Sequence, residues 1–356
     1  MAIDTTPAPA PAAEPPGAPR LSSRDRLVLF VLCAAQFMVA LDFSVLNVAL
    51  PVLGADLGMS TSALQWAITA FALPSGGFLL LFGRMGDLYG RRRLFLAGLT
   101  LFGAASLLAA YAHTAETLIA ARAVLGVGGA TLMPSTMALV RTMFTDPAQR
   151  AKAIGLWSGV MTAGIALGSV MSGVLVEHFW WGSVFLANLP AMALLLVLGP
   201  VLLPESKNPS PGRFDLLSVP LSMAAVLPVV YGLKELPSEG WNVRYAVSIT
   251  VGLLFAALFV HRQRTSASPM ISPALFRGHG FTPALVLNPV SAFGMMGSAY
   301  FTTQYLQSVL GKSALQAALW SLLPSVLIGA AAPVAALLVQ RLVDVVAHQV
   351  HAADVQ

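Results

Sequence analysis

The chain has 356 residues, of which 57% are hydrophobic and only 10% charged, and its formal net charge is +5. A soluble globular domain carries about 25% charged residues, so this chain has too little polar surface to face water. Its one cysteine, Cys33, excludes a disulfide framework and a cysteine-based metal site.

The implied class is an all-α integral membrane protein, since the period-2 alternation of a membrane barrel is absent from the sequence. Residues 1–24 are rich in Ala and Pro and read as a disordered cytoplasmic tail. The tail has no basic region leading into a short apolar stretch, so it is not a signal peptide. Ten apolar runs long enough to span a bilayer follow, near 27–53, 64–82, 94–112, 117–140, 153–176, 183–203, 215–233, 245–261, 282–310 and 314–340.

The basic residues give the orientation. With the N-terminus inside, the tail and the loops after even-numbered spans hold Arg20, Arg24, Arg26, Arg84, Arg91, Arg92, Arg93, Arg141, Arg150, Lys152, Lys207, Arg213, Arg262, Arg264, Arg277 and Arg341. Only Lys234, Arg244 and Lys312 fall outside, and Arg122 lies within a span. This asymmetry is the positive-inside pattern, and one missed span would invert it downstream. It explains the positive charge without nucleic acid.

Four stretches carry chemistry. The connection after the second span, GRMGDLYGRRR (residues 83–93), reads as a tight basic loop punctuated by glycine. LIAARAVLGVGGA, 118–130, puts Arg122 inside the fourth span. GLWSGVMTAGIALGSVMSG, 155–173, sets Gly155 four before Gly159 and Gly164 four before Gly168, a spacing that lets helices approach closely in lipid. LDFSVLNVALP, 41–51, holds Asp42, the one acidic residue well inside an expected span.

Together these stretches resemble the major facilitator superfamily, over about residues 25–344, and within it the fourteen-span drug:proton antiporters. Gly83, Asp87, Gly90, Arg91 and Arg92 match the signature loop, whose aspartate the resemblance makes part of a conformational lock facing a helix N-terminus. Residues 168–173 match the antiporter motif at Gly168 and Gly173, with Ser169 and Ser172 replacing its proline and a glycine. The implied fold is a complete six-helix first domain (25–204), a linker with two extra spanning helices (205–264) and two helices of an incomplete second domain (265–344). Residues 345–356 leave the family pattern, and a frameshift or early stop near Val345 is the expected cause.

The implied activity is secondary transport: proton-coupled efflux of drugs or lipophilic small molecules across the bacterial cell (inner) membrane. The proton gradient is the energy source, and no cofactor or enzymatic activity is expected. Two other readings stay open, a non-transporting remnant and a proton-coupled importer of a small metabolite. One buried carboxylate suits a lipophilic cation, and a neutral compound fits as well.

An intramembrane carboxylate usually faces a bundle interior or a wet cavity. Asp42 is therefore the expected proton-coupling residue with Arg122 as its partner; the alternative is a static brace between them. Asn47, and Tyr300, Gln304 and Gln307 on one expected helix face, are candidates to line a substrate cavity or to bond helices together. His348 and His351 form an H-x-x-H with no further ligand and read as solvated residues.

Overall fold

The computed structural model describes residues 22–207, 215, 217–266, 276 and 281–322. Residues 1–21 of the expected disordered tail, Arg213, Arg277, Arg341, the tenth span beyond 322, and His348 and His351 lie outside these residues, while Ser23 and Arg24, expected in the tail, open α1. Helices are α1 Ser23–Asp56, α2 Thr61–Tyr89, α3 Arg91–Ala110, α4 Ala115–Met143, α5 Pro147–His178, α6 Ser183–Leu186, α7 Leu189–Leu202, α8 Ser218–Glu239, α9 Val243–Thr265 and α10 Phe281–Gln304. A π-helix over Tyr305–Val309 continues α10, and α11 covers 314–322. Nine segments among the described residues are long and apolar enough to cross a membrane.

The helix starts follow capping rules. Ser22 accepts from the Asp25 backbone N–H while Asp25 accepts from Ser22, both at 3.1 Å, closing a capping box on α1. Thr114 and Asp146 cap α4 and α5 through their side-chain oxygens. The expected sixth span is broken between α6 and α7. Pro190 has no N–H to return to Leu186, so the chain turns at Ala187–Asn188 before α7 continues.

The first bundle packs through glycines. A methyl group at Gly126 would strike the Phe71 carbonyl of α2, and one at Gly98 would strike the Thr131 hydroxyl of α4. Gly164 and Gly168 of α5 approach the carbonyls of Phe37 and Leu41 on α1, each 2.9 Å from an added Cβ. One turn on, Ser172 Oγ donates to the Val45 carbonyl at 2.7 Å. Contacts advance together along both chains, so α1 and α5 run parallel.

α8 and α9 form an antiparallel hairpin. Gly232 sits against the Tyr245 carbonyl and Gly252 against the Ala225 carbonyl. At its base Arg262 grips Asp215 through two bonds of 2.7 and 2.8 Å, and Asp215 accepts from Ser218 Oγ at 2.6 Å. α8 runs past the expected end at residue 233, so Lys234 and Glu235 are helical and lie near the end of the span. Glu235 is 8% exposed; its ion-capable side chain went unread because the apolar run stops just before it.

The Arg262 hydrogen bond holds the Asp215 carboxyl below its ordinary value of 3.8. A depressed carboxyl gives stability that is complete above that ordinary value and is lost as pH falls through the folded one. Asp215→Asn is expected to lower the melting temperature of the purified protein at pH 7, and the gap to the parent should shrink as the pH is brought below 3.8. A pH-independent gap in thermal melts would sink this account.

Candidate functional site

The site forms where α1 meets α4. Arg122 Nη1 donates to Asp42 Oδ2 at 2.5 Å, and the two side chains are 1% and 0% exposed. Arg122 Nε donates to the Ala67 carbonyl of α2 at 3.2 Å. Its guanidinium lies over the Phe71 ring, 4.6 Å from the centroid. Phe71 is wedged by Phe43 at 6.3 Å and by an edge-on Phe102 at 6.4 Å. The cation is thus held by an anion, a carbonyl and a π-face, which together replace its lost water.

Asp42 is held on one side only. Its Oδ1 is buried without a hydrogen-bond partner. A carboxylate with one oxygen in an ion pair and the other open can accept a proton there without first breaking the pair. Asn47, one helical step beyond and half-buried, is not joined to the pair by a described hydrogen bond.

Contacts with the second half gather where α1 and α5 finish. Gln307 Nε2 donates to the Val48 carbonyl at 3.3 Å, and Ser313 Oγ to Glu177 at 3.3 Å. Gly173 lies so close to α11 that an added Cβ would come 2.7 Å from Leu315 Cα. At the opposite end of α5, Gly155 and Gly159 are exposed, with nothing within 4 Å of an added Cβ. Close packing is seen at Gly164, Gly168 and Gly173, while Gly155 and Gly159 meet no neighbour among the described residues.

Tyr300, Gln304 and Gln307 are all half-buried, and the helix widens beyond Gln304, where Leu310 N donates to the Tyr305 carbonyl at 3.1 Å. Tyr300 also packs on the core.

The stretch 83–93 is not a loop. α2 runs through Tyr89 and α3 begins at Arg91, leaving Gly90 alone as the turn at φ 112°. The polar residues keep their helical hydrogen bonds, and only a positive φ stops them. Gly83 closes on Pro134 of α4. Asp87 pairs with Arg91 at 2.8 Å, and Arg91 also donates to the Ala138 carbonyl at 3.2 Å. Arg92 donates its backbone N–H to Glu205 Oε1 at 3.2 Å and a guanidinium N–H to the Leu203 carbonyl at 3.3 Å. The Glu205 carboxylate packs against Gly90, whose φ of 112° is what calls for glycine there. Glu205 was missed from the sequence; its signal is that it is the single acid between Glu177 and Asp215, at a basic helix end.

Among the described residues no group of three or more His, Cys, Asp or Glu side chains is placed to hold a metal ion.

The family model described as Major Facilitator Superfamily matches residues 32–347. Multidrug efflux pump LfrA of Mycolicibacterium smegmatis is 43% identical over 307 residues, covering 86% of this chain and 61% of the relative. Methyl viologen resistance protein SmvA of Salmonella typhimurium is 35% identical over 321 residues, covering 90% and 65%. Puromycin resistance protein pur8 of Streptomyces alboniger is 38% identical over 287 residues, covering 80% and 57%. The chain thus spans less than two thirds of the length of these relatives. A crystal structure of peptide transporter POT in complex with sulfate matches with TM-score 0.60 at 19% identity, covering 87% of this chain and 68% of the other, a likeness of fold.

Removing one partner of a buried pair costs about 3–5 kcal/mol, because a bare charge remains. Arg122→Leu is therefore expected to lower the melting temperature more than the combined Asp42→Asn and Arg122→Leu change. Additive losses in this double-mutant cycle would show that the two groups do not depend on each other.

Proposed function

Because the chain belongs to the major facilitator superfamily, we propose that it works in secondary active export of drugs or lipophilic small molecules, driven by protons entering through Asp42. The observation that carries this reading is the unpartnered Oδ1 of a fully buried Asp42 whose other oxygen binds Arg122. The names of the relatives, efflux pump and resistance proteins, favour export over import.

The proton's work follows from electrostatics. On Oδ1 it removes the negative charge facing Arg122. Arg122 keeps the Ala67 carbonyl and the Phe71 face, so it stays in place while the tie from α4 to α1 weakens. A ligand or proton shifts a conformational equilibrium only by binding one state better than the other. Deprotonated Asp42 favours the paired arrangement seen here, and protonated Asp42 the alternative.

The described contacts between the halves lie at the finishing ends of α1 and α5. Transporters of this fold rock their two halves about a midplane site. The basic loops favour a cytoplasmic N-terminus in the bacterial cell membrane, so those contacts lie toward the outer side. The substrate meets the half-buried Asn47, Tyr300, Gln304 and Gln307, and a lipophilic cation gains most from the adjacent carboxylate. Asp87, Arg91 and Arg92, beside Gly83 and Gly90, are the lock between the two states.

The test uses everted membrane vesicles with ethidium as a fluorescent lipophilic cation. The chain is expected to give proton-driven ethidium uptake into the vesicles, Asp42→Asn to reduce it to background, and Asp42→Glu to keep part of it. Full proton-driven movement by Asp42→Asn would refute the coupling role. Ethidium movement that survives collapse of the proton gradient would refute the coupling itself.

A further inference from the structure

α8 carries two charged residues, Lys234 and Glu235, near its C-terminal end. Glu235 Oε1 accepts from Ser62 Oγ at 2.7 Å and from Trp66 Nε1 at 2.8 Å, both on α2. Lys234 Nζ donates to Thr69 Oγ1 at 2.9 Å and lies 4.3 Å above the Trp66 ring. Tyr231 stands 6.3 Å from Trp66 and 5.9 Å from Tyr245 of α9.

Ser62, Trp66 and Thr69 are spaced i, i+4, i+7 and form one stripe of α2. Tyr231, Lys234 and Glu235 form one stripe of α8. Lys234 and Glu235 both hydrogen-bond to α2. Farther along the same antiparallel seam, a Cβ on Gly77 would strike the Met223 sulfur. Shape and charge therefore fix one register over roughly fifteen residues of α2.

We propose that the inserted hairpin α8–α9 is a fixed part of the first bundle, latched onto α2 by Glu235 and Lys234. Glu235 and Lys234 would lose their charged hydrogen bonds if α8 left Ser62, Trp66 and Thr69, so detachment is opposed by two charged groups at once. Arg262 and Asp215 close the hairpin at its other end, so α9 follows α8. The described second half reaches the first through Val48, Gly173 and Glu177, on α1 and α5, away from this seam. The hairpin therefore belongs to the side of the molecule that contains Asp42, whatever the second half does. This goes beyond the transport reading and stands without it.

Disulfide cross-linking in native membranes tests the latch. In a Cys33→Ala background, Gly77→Cys with Met223→Cys is expected to cross-link rapidly, with hydrogen exchange of α4 confirming that the bundle is folded. Glu235→Gln keeps an acceptor for Ser62 and Trp66 and should cross-link like the parent. Glu235→Leu combined with Lys234→Met should slow cross-linking roughly tenfold and speed amide exchange in α8 and α9 alone, the size expected for hydrogen bonds to charged groups. Trp66→Phe keeps the ring under Lys234, removes one donor, and should slow it roughly threefold; this milder change serves if the double variant fails to fold. The proposal is overturned if the parent pair does not cross-link, or if Trp66→Phe and the double variant both match the parent rate.

Discussion

The fold hangs on a single ion pair buried in an apolar interior. Asp42 and Arg122 are 0% and 1% exposed, and either charge alone would cost several kcal/mol to bury. α1 and α4 must therefore meet, and in one register, because a shift of one residue would swing each charge about 100° away from its partner. The consequence spreads outward. α4 is already packed between α2 and α3, and α1 is already packed along α5. The pair ties these two groups of helices together, and the Ala67 carbonyl and Phe71 ring extend the tie to α2.

Close packing does the rest, and it depends on absent side chains. Lipid is as apolar as leucine, so helices in a membrane gain little from burying leucine against leucine. Approach to backbone distance brings more dispersion contacts. Gly126 at Phe71, Gly164 at Phe37 and Gly252 at Ala225 all bring a helix against a neighbouring carbonyl. Each is a place where any larger residue must separate two helices.

How far the sequence discloses this structure depends on the kind of signal. Helix existence is plain because hydrocarbon thickness demands length and apolarity, and the structure adds only a few residues at most ends. The partnership of Asp42 with Arg122 is legible because each is the rare charge of its sign in the first four spans. Local conformation is less legible. Residues 83–89 carry loop-like polarity yet stay helical, since polarity does not forbid helix and only Gly90 breaks it. Gly155 and Gly159 share their spacing with Gly164 and Gly168, yet among the described residues only the second pair has a neighbour, because spacing defines a face and says nothing of what covers it. The wide turn at Tyr305–Val309 has no marker in residue type. Glu235 was hidden because a helix can continue past its last apolar residue when another helix supplies donors.

The interfaces differ in the strength of what joins them, and the difference follows the division between the halves. Inside the first bundle the links are a buried ion pair, glycines on carbonyls and the Glu205 contacts to Arg92 and Arg93. Between the halves the described polar links are Gln307 to a carbonyl, Ser313 to an exposed Glu177, and the approach of Gly173 to Leu315. A hydrogen bond of this kind contributes about 0.5–1.5 kcal/mol, against about 3–5 kcal/mol lost when a buried pair is broken. Among the described residues the firm contacts therefore lie within the first bundle, where the Asp42–Arg122 pair keeps α1 in register with α4.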